Sequence, residues 1–274
     1  MLALLIQSIY NIVDSYFVSQ YSLSGLTALS IIFPVQLLMT ALGTGTGTGL
    51  NILISRMDGN GETARQRDVV RSGLCLGIVN FLIFTCLGML LIRSYYTMSS
   101  DQVAVRAEGI RYAQIIFMGS FGLFMESNCT KLLQAKGNMV TPMLAQVVGA
   151  VINIIFDPIL IFGLFGAPEL GVAGAAIATI MGQWATMLIT LKAVFRTYDM
   201  RGKFHFKDCF QIYQSGFPSI IMQSLYTLYI VGLNLILKQF TEDTVTVLGI
   251  YYKLQTFFFI PLMGLQQVIV PVIS

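Results

Sequence analysis

Apolar stretches alternate with short polar breaks along the whole chain. Most stretches run for about 20 residues or more, the length that an α-helix needs to cross a hydrocarbon core roughly 30 Å thick. The breaks carry charged and turn-forming residues, as at 58–61 and 166–168. The pattern therefore predicts an all-α integral membrane protein with about eight spans, at residues 1–18, 25–54, 71–93, 106–130, 140–165, 171–195, 212–238 and 245–273.

The composition indicates that lipid, rather than water, surrounds most of the protein. Of 274 residues, 55% are hydrophobic and 11% are charged, and the mean hydropathy is +0.76. The net charge of +3 is small and dispersed, which argues against nucleic acid as a partner. The four cysteines form no CxxC pair, so a disulfide framework or a zinc site is not expected. We expect a monomer in contact with the lipids of a bacterial cell membrane.

The loop charges predict the orientation. With the N-terminus placed in the cytoplasm, cytoplasmic loops hold eleven Lys and Arg residues and outside loops hold four. Lys253 falls within the last span, where a role in the central cavity and an interfacial position both stay open. The sequence GTGTGTG at 43–49 lies in an apolar span without a preceding strand, so it favours close helix packing over a nucleotide loop. The second small-residue run, GVAGAA at 171–176, has the same packing character.

The last two spans weakly repeat the first two. The sequence QSIY at 7–10 matches QSLY at 223–226, and Gln36 matches Gln255 at a slightly larger offset. Six helices separate the copies, so both begin on the same membrane side, as in transporters built from two similar bundles. We expect four further helices after residue 274 and a missing start to the first helix. The chain then divides into a six-helix bundle, a basic cytoplasmic linker and the first two helices of a second bundle, at 1–195, 196–211 and 212–274.

Two aspartates inside the spans are candidates for a cation site. A carboxylate at the bilayer centre costs roughly 3 kcal/mol or more, so such acids usually face a protein interior or a watery cavity. Tyr10 lies four residues before Asp14, and Asn153 lies four residues before Asp157, so each pair shares a helix face. Carboxylate, amide and phenol oxygens could bind a proton or a hard cation such as Na⁺. Interhelical hydrogen bonding is the structural alternative for both acids.

A third acid, Glu126, lies near the cytoplasmic end of the fourth span. Lys131 follows it by five residues, and a long basic side chain at a helix end can reach the interface. This placement favours an interfacial salt bridge between Glu126 and a nearby Lys or Arg.

Several sequence blocks resemble the multidrug and toxic-compound extrusion (MATE) transporters. They are YNIVDSYFV at 10–18, AKGN at 135–138, NIIFDP at 153–158 and GVAGAAIAT at 171–179. Their order and spacing are specific, and the resemblance covers essentially the whole chain. It implies twelve helices in two six-helix bundles around a central cavity. It also implies export of cationic or amphiphilic small molecules in exchange for H⁺ or Na⁺, with no other cofactor and no enzymatic activity.

The resemblance also implies which residues form the sites. The cation site of members that couple through the first bundle corresponds here to Tyr10, Asp14, Asn153, Asp157 and Thr179, and Na⁺ would bind at Asp14, Asn153 and Asp157. Members that couple through the seventh helix carry an acid where this chain has Tyr226, so coupling by the first bundle is favoured. Candidates for lining the cargo cavity are Gln36, Met39, Tyr226, Lys253 and Gln255.

Other functions stay open at this point. A flippase for lipid-linked oligosaccharides belongs to the same superfamily, but its polyanionic cargo suits a cavity rich in Arg, and these spans are nearly free of Arg. An intramembrane aspartyl protease would show a GxGD-like context at its second acid, whereas Asp157 follows Ile-Ile-Phe. A chain that lacks part of its second bundle could also be inactive by itself.

Overall fold

The computed structural model describes residues 2–237, 244, 247–252, 254–255 and 258–259. All regular structure in this part of the chain is helical. The helices are α1 (Leu2–Tyr21), α2 (Leu23–Gly59), α3 (Thr63–Ser99), α4 (Val103–Gly119), α5 (Phe121–Ala135), α6 (Val140–Phe162), α7 (Val172–Thr197) and α8 (Phe206–Leu237), with a 3₁₀ turn at Leu164–Gly166. The eighth predicted span is described only in short helical pieces.

Among the described residues, five helices are each long and apolar enough to cross a membrane, namely α2, α3, α6, α7 and α8. Helix α1 occupies the first predicted span. Helices α2 and α3 each contain 37 residues and run past the spans that hydropathy predicted, because a helix can continue into water once its apolar segment has ended.

The predicted fourth span consists of two helices, α4 and α5, that meet at a kink. Helix α4 ends at Gly119 and α5 begins at Phe121, so the break lies at Ser120. In a continuous α-helix the Phe117 carbonyl would accept from the Phe121 N–H. It instead accepts from the Ser120 backbone N–H at 3.3 Å and from the Ser120 hydroxyl at 2.8 Å. Thr85 of α3 donates to the same carbonyl at 2.9 Å. These competing donors interrupt the helix where hydropathy alone saw a continuous stretch.

Two buried hydrophobic clusters hold the helices together. One lies towards the predicted outside end and includes Ile32 of α2, Tyr96 of α3 and Phe117 of α4. The other lies towards the predicted cytoplasmic end and includes Leu50 of α2 and Ile212 of α8. Because α8 contributes to the second cluster, the helix after the linker packs directly against the preceding bundle at this end.

Glycines allow α2 and α8 to approach closely. A Cβ on Gly49 would lie 2.0 Å from the Ile212 carbonyl oxygen, and a Cβ on Gly216 would lie 2.2 Å from the Gly45 carbonyl oxygen. In the second small-residue run, a Cβ on Gly174 of α7 would lie 2.4 Å from the Leu160 carbonyl oxygen of α6. The prediction that both runs serve helix packing is confirmed.

Candidate functional site

Helix α6 places Asn153 and Asp157 one turn apart on the same face. Both are buried, with exposed fractions of 2% and 0%. The Asn153 side-chain amide donates to Asp157 Oδ1 at 3.3 Å and lies 3.4 Å from the hydroxyl of Thr179 on α7. Pro158 follows, and since proline has no N–H, it cannot bond the Ile154 carbonyl one turn earlier. The site therefore combines side-chain oxygens with a locally weakened helix.

Helix α1 brings the second aspartate to this face. Asp14 is 6% exposed, and α1 packs along α6. The charges of Asp14 and Asp157 act on each other, so the two carboxyl groups lie within electrostatic range. Tyr10 is partly buried one turn earlier on α1. The structure thus brings both aspartates into one buried region, with Asn153 and Thr179 beside Asp157.

Two oxygens of the site have no hydrogen-bond donor within the described part of the chain. Asp157 Oδ2 and Asn153 Oδ1 are buried, and neither finds a partner among the described residues. Buried oxygens without donors are costly, by about 1–3 kcal/mol for a neutral group and more for a charged one. Both atoms are acceptors that a bound cation, or for the carboxylate a proton, would satisfy. The donor set consists of carboxylate, amide and hydroxyl oxygens, which suit a hard cation or a proton.

Tyr112 is a neighbour of the site that sequence reasoning missed. It is 2% exposed on α4 and lies within electrostatic range of Asp14 and Asp157. Gln36 of α2 donates from its side-chain amide to the Tyr112 hydroxyl at 3.2 Å. Helical spacing could not have placed Tyr112 here, since it lies about 100 residues from Asp14 and 45 from Asp157. The signal available in the sequence was that Gln36 and Tyr112 are polar residues within two apolar spans.

The predicted cavity residues are distributed over different surroundings. Gln36 lies beside the aspartates through Tyr112, whereas Met39 is 2% exposed within the core cluster of α2, α3 and α4. Tyr226 of α8 is 42% exposed, and its ring packs edge-on against Tyr252 with centroids 6.3 Å apart. The remaining two candidates lie further along the chain. Gln255 has a buried Oε1 without a partner among the described residues, and Lys253 lies outside them.

Glu126 does not form the expected salt bridge with any described Lys or Arg. The ion pairs of the described residues do not include it. Its Oε1 instead accepts from the Thr130 hydroxyl of its own helix at 2.7 Å. A neutral donor therefore orients this carboxyl group.

Comparison with known proteins gives a consistent family match. A family model described as MatE matches residues 1–159. The multidrug export protein MepA of Staphylococcus aureus is 26% identical over 293 residues, an alignment that covers 100% of this chain and 61% of MepA. The FAD transporter of Shewanella oneidensis is 27% identical over 179 residues, which covers 65% of this chain and 39% of that protein. The chain therefore spans less than two thirds of these relatives' length.

A solved structure of a transporter shares this fold. The MATE multidrug transporter DinF-BH superposes with a TM-score of 0.88 at 25% identity. The superposition covers 100% of this chain and 62% of DinF-BH. The helical arrangement described above is thus shared with a known transporter over the full length of the present chain.

Proposed function

The chain belongs to the MatE family of multi-pass membrane transporters, and on that premise we propose that the protein exports cationic or amphiphilic small molecules in exchange for H⁺ or Na⁺. Family members are transporters and not enzymes, so the aspartyl protease alternative is set aside. One observation carries the proposal of cation coupling. Asp157 Oδ2 and Asn153 Oδ1 are buried acceptors without donors among the described residues, next to a second buried aspartate.

A bound cation would remove two unfavourable contributions to the free energy of the site. Asp14 and Asp157 repel each other when both are ionised, and a proton or Na⁺ between them removes most of that repulsion. A cation also satisfies the acceptor oxygens of Asp157 and Asn153. Tyr10 and Thr179 would complete the oxygen set from α1 and α7.

Coupling requires that the cation bind one conformation better than the other. The site spans α1, α6 and α7, so binding there changes how these three helices pack. Because Pro158 leaves one backbone bond of α6 unmade beside Asp157, local repacking of α6 is the expected response. The conformation with bound cation would then have lower affinity for the cargo, which drives alternating access.

The remaining elements of the proposal concern cargo and orientation. Tyr226, Gln255, Lys253 and Gln36 are the proposed cargo-cavity residues, whereas Met39 is buried in the hydrophobic core. The relatives' names support small-molecule cargo. We place the N-terminus in the cytoplasm, on the basis of the loop charges, and the protein as a monomer among lipids. The lipid-linked oligosaccharide flippase remains the alternative cargo class within the superfamily.

The test is ethidium accumulation in everted membrane vesicles, driven separately by a proton gradient and by a sodium gradient. The variant Asp157→Asn removes the charge while keeping the shape, and Asp101→Asn makes the same change at an exposed position outside the site. We expect gradient-driven uptake in the wild type and in Asp101→Asn, and its loss in Asp157→Asn. The gradient that drives uptake, of protons or of sodium, identifies the coupling ion.

Two results would count against the proposal. Unchanged uptake in Asp157→Asn would show that Asp157 does not take part in coupling. Absence of ethidium transport under both gradients, together with movement of a fluorescent lipid-linked sugar, would favour the flippase.

A further inference from the structure

A buried polar network joins the helix after the linker to the first bundle, in the half of the protein nearer the predicted cytoplasmic side. The Tyr213 hydroxyl of α8 donates to Asn80 Oδ1 of α3. The Asn80 side-chain amide in turn donates to the Thr46 hydroxyl of α2 at 3.2 Å. Thr46 and Asn80 are both buried, and Tyr213 is partly buried. The network therefore crosses from the second bundle to two helices of the first.

The hydrogen bonds of this network follow one direction. The Thr46 hydroxyl donates to the Leu42 carbonyl of its own helix, which leaves its oxygen to accept from Asn80. Asn80 uses its nitrogen towards Thr46 and its oxygen towards Tyr213. Hydrogen bonds that follow one another in this way strengthen each other where the dielectric constant is low. Tyr213 is thus the terminal donor, and Asn80 Oδ1 accepts from it.

The close packing of α2 and α8 brings Tyr213 to Asn80. Ile212 and Gly216 of α8 contact glycines of α2, and Tyr213 lies between them in sequence. A hydrogen bond requires its heavy atoms to lie within about 3.2 Å, so this bond forms only while α8 stays against the first bundle. The bond therefore stabilises the arrangement in which the two bundles meet at this end.

Other polar contacts between α3 and the start of α8 lie closer to water. Arg65 donates to the Gln211 side-chain oxygen at 3.2 Å, and both side chains reach the surface. Water can replace such a bond at little cost. Asn80 lies fifteen residues further along α3 than Arg65, inside the predicted span 71–93. An oxygen without a donor is costly at that depth, so the bond from Tyr213 matters more for bundle separation than the exposed one.

We propose that Tyr213 and Asn80 form a lock that holds the predicted cytoplasmic end of the transport path closed, and that their bond breaks when α8 separates from α2 and α3. The proposal rests on the proposed function, because alternating access requires the two bundles to separate on each side of the membrane in turn. Water that enters between the separated helices would bond both groups. The bond between Asn80 and Thr46 lies within the first bundle and persists in both arrangements.

Cys209 provides a native reporter of this separation. It is buried on α8, lies four residues before Tyr213, and its thiol approaches the Ser72 carbonyl of α3 at 3.9 Å. The protein is prepared with its other three cysteines replaced by alanine. Everted vesicles then present the predicted cytoplasmic side to a membrane-impermeant maleimide. The rate of Cys209 labelling measures how often α8 leaves α3.

Tyr213→Phe removes the donor and should make Cys209 labelling at least about fivefold faster than in the wild type, because one net hydrogen bond changes an equilibrium by about that factor. Asn80→Leu should have a similar effect. The double variant should match the single variants, since all three lack the same bond. Tyr198→Phe is the matched control, because it removes a buried bond of 2.8 Å to the Leu132 carbonyl within the first bundle. It should leave the labelling rate unchanged.

A second reporter separates bundle opening from fraying at the start of α8. Ile220 lies seven residues beyond Tyr213 and packs on Gly45 of α2. In a chain without its native cysteines, Ile220→Cys should also be labelled faster when Tyr213→Phe is added. Fraying of the start of α8 would expose Cys209 alone.

The outcomes separate this proposal from the proposed function. Wild-type labelling in Tyr213→Phe overturns the lock. An equal increase in Tyr198→Phe, which would indicate general loosening, also overturns it, as does an increase confined to Cys209. Labelling does not depend on transport. Absence of gradient-driven uptake in the wild type therefore counts against the proposed function, whatever the labelling result.

Discussion

Asn153 connects Asp157 of its own helix with Thr179 of α7 through one side-chain amide. The amide nitrogen lies 3.3 Å from Asp157 Oδ1 and 3.4 Å from Thr179 Oγ1, while the amide oxygen of Asn153 has no donor among the described residues. Asn153 therefore orients Asp157 with its nitrogen and offers its oxygen as a ligand. A side chain that can neither donate to Asp157 nor offer an oxygen ligand should not substitute for Asn153.

The substitution Asn153→Leu should abolish the cation response and lower stability. It leaves Asp157 Oδ1 without its donor, which costs about 1–3 kcal/mol. The single tryptophan, Trp184 on α7, donates to the Gly119 carbonyl at 3.0 Å and reports on α7 packing by its fluorescence. We expect fluorescence to change with H⁺ or Na⁺ in the wild type and not in the variant.

A matched control separates stability from cation binding in this experiment. Asn51→Leu removes another interhelical amide bond, to the Lys131 carbonyl at 2.9 Å, away from the aspartates. It should lower the melting temperature while keeping the cation response. A retained response in Asn153→Leu would contradict the assigned role.

Tyr112→Phe should weaken the cation response. Its free energy of unfolding should fall only by the value of one lost hydrogen bond, about 1 kcal/mol. The Tyr112 hydroxyl accepts from Gln36 and lies within electrostatic range of both aspartates. Tyr95→Phe is the control, because it removes a bond of 2.7 Å to the Ile31 carbonyl of α2. The two variants should show similar melting temperatures, and only Tyr112→Phe should shift the cation dependence of Trp184 fluorescence. Equal cation responses would exclude Tyr112 from the site.

Gly216→Ala should destabilise the contact between α2 and α8. The added Cβ would lie 2.2 Å from the Gly45 carbonyl oxygen, so the helices must separate, and such overpacking typically costs about 1–3 kcal/mol. Gly232→Ala on the same helix meets nothing within 4 Å and should be neutral or slightly stabilising, since alanine favours helix by up to about 1 kcal/mol. Thermal unfolding in detergent measures both. Equal melting temperatures would contradict the close packing.

The predicted orientation can be tested with single cysteines. Asn60 and Asp101 are exposed at opposite ends of α3, which runs from Thr63 to Ser99. With the native cysteines replaced, a membrane-impermeant maleimide added to whole cells should label Asp101→Cys, and everted vesicles should label Asn60→Cys. The reverse labelling would place the N-terminus outside.

Helical periodicity and hydropathy were sufficient for the parts of the site that lie on one helix. They predicted the apolar helices, the shared face of Asn153 and Asp157, and the acids worth attention, because these features depend on residues three or four apart in sequence. The small-residue runs were likewise recognised as packing surfaces, since small side chains favour close contact wherever the partner helix lies.

Contacts between helices were decided by the tertiary structure. Sequence spacing carries no information about which side chain of α4 meets α2, so Tyr112 and Gln36 were not recognised as a pair. The break at Ser120 depends on Thr85 of α3 reaching the same carbonyl, and hydropathy does not register hydrogen bonds. Glu126 was predicted to pair with a nearby Lys or Arg because basic residues follow it in sequence, whereas in the fold its carboxyl group accepts from the Thr130 hydroxyl. The sequence by itself determined which groups enter the membrane, and only packing decided which of them meet.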